Sequence, residues 1–481
     1  MLWLAIHLPH LSLDRLRRGL RPEDAAAPLA VFDAAGKRQW IHARNRAAAE
    51  AGVTPGMALG EALSLCGELR TLAREAEAEA VTLKNLAAWA GQFTPEVSLQ
   101  QPDGLLLEVE ASLSLFGGIE PLRANLARGL RELGYRARLG VAPTPIGAWL
   151  LARAGHTAPV TDRVQLAALL RRLSIEQLER PQPLVEALRG MGLRCVGDCL
   201  RQPRAGLAKR LGPEFVHYLD RALGRLPDPR RPYRPPDLFE SLLALPAEVD
   251  DTAALLFAAR RLLLELAGFL RARDRGVQQV SLELQHAKHP ASAIEVGLVR
   301  PTRDPDHLLR LLRERLDRHT LAAPVEAIAL RAARLVALTQ RDRDLFDSKE
   351  TEGQDWPQLV EHLRARLGPD AVQGLCSASD HRPERAWRFC EPGQSGTALQ
   401  GAARPIWLLE TPQPLQDTQG FPWLDGRLTL TRGPERIETG WWDGDDTTRD
   451  YFIAENPRRE RYWIYRERRP PRRWFLHGIF S

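Results

Sequence analysis

Residues 227–237, Pro-Asp-Pro-Arg-Arg-Pro-Tyr-Arg-Pro-Pro-Asp, set the strongest limit on how this chain folds. Five prolines remove five backbone donors and fix φ, so neither a helix interior nor a central strand passes through the segment. Three arginines keep it solvated, and the composition favours an extended, semi-rigid spacer. The segment therefore reads as the chain's clearest linker between folded stretches.

Both parts alternate between strand and helix periods. Before the spacer, residues 2–8 (LWLAIHL) have strand length, 73–89 turn helical, and 105–109 (LLLEV) form a compact buried strand. A helix over 121–133, a strand over 136–141 and a helix over Pro145–Ala154 come next, which predicts a split β-α-β sheet with helices on one face. An Ala-rich module, residues 44–69, is inserted after the first strand. Residues 166–223 read as short helices around Leu188-Arg189-Gly190-Met191-Gly192-Leu193. Such a hairpin suits backbone N–H groups aimed at a phosphate, and equally an ordinary helix–helix turn with a glycine C-cap.

After the spacer comes a second β-α-β-β-α-β pattern. Strands are expected near 241–245, 277–285, 294–299 and 325–335, with helices over 252–273 and 306–319. Residues 346–380 read as a helix-containing tether. The last stretch, 381–481, holds 7 of the 12 tryptophans and strand-like segments.

Composition excludes several classes. With 44% hydrophobic and 27% charged residues, the chain has material for several packed cores and is not globally disordered. No apolar run reaches the ~18–20 residues that span a bilayer, and the N-terminus carries no cleavage-like site, so no membrane partner and a cytoplasmic location are expected. Cys66, Cys195, Cys199, Cys376 and Cys390 are odd in number and scattered, and they imply neither a disulfide framework nor a zinc set. The formal net charge of +6 permits an anionic partner without demanding one.

The order of parts resembles the Y-family DNA polymerases. The motifs that carry the resemblance are Asn45-Arg46-Ala47-Ala48-Ala49-Glu50-Ala51-Gly52-Val53, Pro55-Gly56-Met57, Glu61-Ala62, Leu113-Ser114-Leu115-Phe116-Gly117, Leu139-Gly140-Val141-Ala142 and the Gly-Met-Gly hairpin. The C-terminal motifs Asp380-His381-Arg382-Pro383-Glu384, Gly433 to Asp443, Arg449-Asp450-Tyr451 and Trp474-Phe475-Leu476-His477-Gly478 resemble the ImuB-type subgroup of bacterial mutagenic repair. The resemblance implies a multidomain α+β chain. Its parts would be a ferredoxin-like palm (1–30 and 72–165), small fingers (31–71), a helix-hairpin-helix thumb (166–226), the basic linker (227–237) and a β-α-β-β-α-β little finger (238–338). A clamp-binding-like segment (339–347) and a partly β, Trp/Arg-rich partner-binding region (348–481) would complete it.

Nucleotidyl transfer needs carboxylates that hold two Mg²⁺ ions. Aligned with active relatives, the ligands of the first strand fall on Ile6 and Leu8, and the Asp-Glu pair falls on Asp103 and Gly104. Residues 1–13 contain no acid, so no shift along that strand restores the first ligand. The positions that grip the triphosphate fall on Arg46, Ala49 and His156. The resemblance therefore implies a pseudo-polymerase with no resident metal or cofactor. Two alternatives are an active translesion polymerase with relocated ligands (Asp103, Glu108, Glu110) and a non-enzymatic helix-hairpin-helix repair protein.

Sequence-independent DNA contact is expected from the hairpin (Arg189, Gly190, Gly192, Arg194), from Lys209 and Arg210, and from the linker arginines Arg230, Arg231 and Arg234. Residues 339–347 resemble the peptide that docks on the bacterial sliding clamp, with Leu345 and Phe346 as apolar anchors. Asp342 stands where that peptide carries Gln, and Gln340 comes two residues too early. In the tail, aromatic and arginine residues suit single-stranded nucleic acid, protein hot spots or a small β core. The subgroup favours partner binding through Trp441, Trp442, Tyr451 and Trp474, with an ImuA-type RecA-like protein and an error-prone DnaE-type polymerase as partners.

Overall fold

The computed structural model describes residues 1–21, 26–36, 38–338, 356–392, 394 and 404–480. They form two compact units, Met1–Arg366 and Leu367–Ser481. In chain order the first unit begins with β1 (Trp3–His7), α1 (Leu11–Arg17), β2 (Leu29–Ala35), β3 (Arg38–Arg44), α2 (Arg46–Glu50), α3 (Leu59–Leu65) and β4 (Arg70–Ala73). It continues with α4 (Ala76–Ala90), β5 (Val97–Gln100), β6 (Gly104–Glu108), α5 (Leu113–Phe116), α6 (Ile119–Glu132), β7 (Arg138–Ala142) and α7 (Pro145–Ala154).

Strands β5, β6, β1 and β7 pair antiparallel in that order. All five residues of β1 are buried, because the sheet is covered on both sides. Leu4, Ile6, Leu105 and Leu107 pack with Leu83, Leu86, Leu122 and Leu126 of α4 and α6. Trp3, Ala5 and Leu106 pack on the other side with α7 and the helices after it. Each fully buried leucine here contributes roughly 1.5–3 kcal/mol. The expectation of helices on one face is thus corrected. Helix α7 is buried continuously from Pro145 to Ala152, and a helix apolar all round needs neighbours on every side.

The inserted module is larger than residues 44–69. It is a three-stranded sheet, β3-β2-β4, with α2 and α3 beside it. Asn45 fixes its geometry: Oδ1 accepts from the amides of Ala48 (2.9 Å) and Leu29 (3.1 Å), capping α2 and pinning β2 at once.

Five helices come next: α8 (Arg163–Arg172), α9 (Gln182–Gly190), α10 (Val196–Arg201), α11 (Arg204–Leu211) and α12 (Pro213–Ala222). The proline-rich spacer then runs beside β5, where the Tyr233 amide donates to the Val97 carbonyl (2.7 Å). Beyond it lie β8 (Phe239–Val249), α13 (Thr252–Arg271), β9 (Arg275–His286), β10 (Ser292–Thr302), α14 (Pro305–Leu316), β11 (Val325–Ala332) and β12 (Leu335–Ala337). The sheet order is β10-β9-β11-β8, with β12 on β9, and Leu262, Leu266, Leu308 and Leu312 cover one face. Buried Arg18 joins the two sheet regions. It donates to the Leu133 carbonyl (2.6 Å) and to Tyr135 Oη (2.5 Å), and pairs with Glu265 of α13.

Helix α15 (Trp356–Leu367) is docked on the second sheet instead of standing in a tether. Glu361, 5% exposed, accepts from the Val299 amide (2.7 Å) and lies 2.7 Å from His307 Nε2.

The second unit is built of β13 (Gly374–Ser377), β14 (Trp387–Cys390), β15 (Trp407–Pro414), β16 (Gln416–Thr418), β17 (Phe421–Trp423), β18 (Thr429–Thr439), β19 (Thr447–Glu455), β20 (Arg461–Glu467) and β21 (Trp474–Ile479). Five of these strands form one antiparallel sheet, β15-β21-β20-β19-β18. A disulfide joins Cys376 to Cys390 across the β13–β14 ribbon, a pairing that the scattered cysteines did not announce. No described helix is long and apolar enough to cross a membrane.

Candidate functional site

Strand alternation decides which side chains reach the end of the first sheet where Asp103 stands. His7 is paired with Gly104, and its Nε2 lies 3.3 Å from Asp103 Oδ2. Ile6 and Leu8 are 0% and 1% exposed in the core on the α4–α6 side. The β1 side chain that meets Asp103 is therefore His7, one residue out of phase with the expected positions Ile6 and Leu8, which point into the core. Period-two parity, counted from the buried Leu4 and Ile6, was the signal that could have found it.

Position 104 is closed to any side chain. A Cβ there would lie 2.2 Å from Trp149 Cζ3 and 2.9 Å from the Ile6 carbonyl oxygen. Trp149 of α7 also meets His7 edge to face at 5.1 Å. Its Nε1 donates to Glu179 Oε2 (2.5 Å), while Arg153 donates to Glu179 Oε1 (3.1 Å). Burial pushes the Glu179 carboxyl above the usual range; the indole N–H and Arg153 pull it back, and the Asp103 charge adds to the rise. His7 Nδ1 and Asp103 Oδ1 are buried without a hydrogen-bond partner among the described residues.

Glu108 and Glu110 lie at the opposite end of β6, since Trp3 pairs with Glu108 and His7 with Gly104. Asp103 and Glu108 are thus about 16 Å apart along the strand at ~3.3 Å per residue. Carboxylates sharing a divalent cation must each come within ~2–2.6 Å of it, so this pair cannot. Glu108 Oε1 instead accepts from the amides of Leu2 (3.2 Å) and Glu110 (3.3 Å), and Glu110 pairs with the Met1 amine. Among the described residues, no three His, Cys, Asp or Glu side chains gather to hold a metal. The two Mg²⁺ ions that the resemblance would call for do not fit these residues. A cleft of about 1090 Å³ at the Glu108 end, lined by Trp3, Thr144, Arg163 and Arg225 among others, does not reach Asp103. Of the triphosphate positions, Arg46 is exposed and pairs with Glu50 (2.7 Å), Ala49 offers no polar group, and His156 is half-buried with Nε2 unpartnered.

The Gly-Met-Gly hairpin ends α9 as a Schellman turn. Gly192 has φ +75°, the Leu193 amide donates to the Leu188 carbonyl (3.1 Å), and the Gly192 amide donates to the Arg189 carbonyl (3.0 Å). The next two amides, of Arg194 and Cys195, donate to Asp198 Oδ2 (2.8 and 3.0 Å). Of the two readings of this hairpin, the structure has the glycine C-cap turn and not free N–H groups aimed at a phosphate, because Gly190 is the last residue of α9 and the amides after it are used internally. Side-chain cations remain. Arg194, Lys209 and Arg210 are exposed, and Arg189 is exposed but paired with Glu176 (2.9 Å).

In the spacer, Arg231 and Arg234 are exposed. Arg230 is turned onto the first sheet, pairing with Asp228 (2.6 Å) and donating to Gln100 Oε1 of β5 (3.1 Å), so it is not a free cation. The clamp-like residues Gln340, Asp342, Leu345 and Phe346 lie outside the described residues.

In the second unit, Trp441 and Trp442 are 78% and 60% exposed and meet edge to face at 5.4 Å. Buried Arg382 holds their turn by forking onto Asp380 and Asp443 (2.7 Å each), and Asp443 is drawn down to about 2, chiefly by that bond. Tyr451 and Trp474 are 0% and 3% exposed. Tyr451 stacks on Trp463 at 4.1 Å and Trp474 packs on Phe452 at 5.5 Å. Both are core residues, and their assignment as partner contacts is corrected: inward alternation along β19 and β21 uses their area to close the sheet.

The chain belongs to the impB/mucB/samB family. It matches that family over residues 14–153 and the family's C-terminal domain over residues 244–345. Two curated relatives from Caulobacter vibrioides strains, both called Protein ImuB, are each 28% identical over 457 residues, covering 89% of this chain and 100% of their own length. The chain is accordingly an ImuB-type homologue of the Y-family polymerases. Solved structures similar to it include a Y-family DNA polymerase chimera (15% identical, TM-score 0.42) and DinB from Sulfolobus solfataricus (16%, TM-score 0.40), each covering 70% of this chain and 100% of theirs.

Proposed function

We propose that the chain is a non-catalytic polymerase homologue that serves translesion synthesis and induced mutagenesis as an adaptor. In this reading the first sheet is a palm, the inserted sheet its fingers, the helices α8–α12 a thumb and the second sheet a little finger. The observation that carries it is Trp149 seated over Gly104. Where a catalytic centre would need a second carboxylate, the chain has packed an indole and anchored it to Glu179. The exposed cations Arg194, Lys209, Arg210, Arg231 and Arg234 support sequence-independent DNA binding. Leu345 and Phe346 are proposed to tether the chain to the sliding clamp. The exposed Trp441–Trp442 pair is proposed to receive an ImuA-type RecA-like protein or a DnaE-type polymerase, since exposed, preorganised indoles are typical interface anchors.

Primer extension tests the central claim. The purified chain is expected to bind primed template yet add no nucleotide with Mg²⁺ or Mn²⁺. Gly104→Glu is expected to remain inactive and to melt earlier, because overpacking a tight site costs ~1–3 kcal/mol. Extension that disappears in Asp103→Ala would overturn the reading.

A further inference from the structure

Strand β17 is three residues long, and alternation buries Pro422 while Phe421 and Trp423 face out, 45% and 43% exposed. Two strand steps separate them by about 6.7 Å, close to two base-stacking rises of ~3.4 Å. Arg427 lies over the Phe421 ring, 3.6 Å from its centroid.

Beside Phe421, between the β16–β17 hairpin and the face of β19–β21, opens a cleft of about 500 Å³. Phe452 and Trp474 line it, and the Trp474 Nε1–H has no acceptor among the described residues. Arg466 lies over Trp474, 5.5 Å from the ring centroid, and spends its Nε on the Arg472 backbone carbonyl (3.3 Å). Neither Arg466 nor Arg472 has a carboxylate partner among the described residues. The acid Asp450 is engaged by Arg436 (2.9 Å) and Arg468 (3.8 Å), and Arg468 also pairs with Glu438. Glu467 is the other acid on the rim. The uncompensated charge at the mouth is therefore positive, beside two outward rings on one strand.

Two outward aromatic rings two strand steps apart, flanked by guanidinium groups without a carboxylate partner among the described residues, match the chemistry of an unpaired nucleic-acid strand. A duplex keeps its bases stacked on each other and offers them no ring to meet. We propose that this cleft, together with the outward face of β17 beside it, binds single-stranded nucleic acid without sequence preference. Phe421 and Trp423 stack bases, while Arg427, Arg466 and Arg472 meet the phosphates. This is a different surface from the Trp441–Trp442 pair and from the cations of the first unit.

Photocrosslinking of the full chain to an oligothymidylate of about 20 nucleotides carrying 5-iodo-deoxyuridine, mapped by mass spectrometry, tests it. Adducts are expected on the peptides that hold Phe421 and Trp423. Their yield is expected to fall roughly fivefold or more in the double variant Arg466→Glu, Arg472→Glu, while adducts within residues 1–338 persist. A parallel oligouridylate arm identifies the source, DNA or RNA, by the stronger tail adduct. The charge-reversed side chains are at least partly solvent-facing, and an unchanged melting curve certifies the fold of the variant. The proposal fails if wild-type adducts are confined to residues 1–338, or if tail adducts survive the charge reversal. It fails equally if the tail gives no adduct while Phe421→Ala, Trp423→Ala abolishes binding to a purified protein partner.

Discussion

His477 is fully buried in the second unit, its ring stacked beside Trp463 and its Nδ1 2.8 Å from Tyr451 Oη. Arg449 donates to the same hydroxyl (3.1 Å), which leaves the Tyr451 proton for His477 Nδ1 and favours the neutral ring. Burial lowers its pKa to about 4; Glu384 opposes the drop, and Arg449 and Arg404 add to it. Between about 4 and the ordinary 6.5, the unfolded chain therefore binds a proton that the folded chain refuses. Stability from this group is complete above the ordinary value and is lost as pH falls toward 4, by up to ~3 kcal/mol at ~1.4 per pKa unit. Denaturant unfolding at pH 7.5 and pH 5 should show the loss in the wild type and a smaller one in His477→Gln. Equal losses in both would refute the assignment. His7 makes a different lesson at the same scale, because one residue of strand phase decided whether an apolar side chain or a titratable one faces Asp103.

Helix α15 illustrates how single contacts set the fate of an element. Its sequence is only moderately apolar, and nothing in its periodicity says what it docks on. Glu361 decides the matter by accepting from the amides of Val299 (2.7 Å) and Arg300 (3.3 Å) and meeting His307 Nε2 (2.7 Å). Glu361→Ala strands two amides and an imidazole, at a cost of about 3 kcal/mol. Hydrogen exchange over residues 356–367 should accelerate well before the rest of the first unit opens; unaltered protection would show that apolar packing alone holds the helix. The Schellman end of α9 is the contrasting case. Gly192 stood out in the sequence, yet the bonds of the Arg194 and Cys195 amides to Asp198 could be seen only once the next helix was placed.

At the scale of the whole molecule, the cations free to meet a phosphate are those without a carboxylate partner among the described residues. Arg194, Lys209 and Arg210 are exposed on the helical region, whereas Arg230 and Arg189 are engaged by Asp228 and Glu176. If the first three contact duplex phosphates, replacing all three by alanine should weaken binding similarly for unrelated sequences. It should also reduce the slope of log K against log salt by ~2.7, at ~0.9 per contact. Anisotropy titrations over a salt series measure this, and an unaltered slope would remove these residues from the interface. The buried Arg18–Glu265 contact, by contrast, is spent on joining the two sheet regions and offers no charge to a ligand.

The sequence alone determined the exclusion of any helix interior or central strand from the proline spacer, the two β/α patterns and the absence of acids from residues 1–13. Each depends on local chemistry: a missing N–H, a hydrophobic period, a residue type. Tertiary structure decided the rest. It placed Trp149 over Gly104, turned Tyr451 and Trp474 into core, engaged Arg230, joined Cys376 to Cys390 and left Phe421 and Trp423 outside. These outcomes depend on which distant surfaces meet, and burial, pairing and exposure are properties of that meeting and not of a residue's neighbours along the chain.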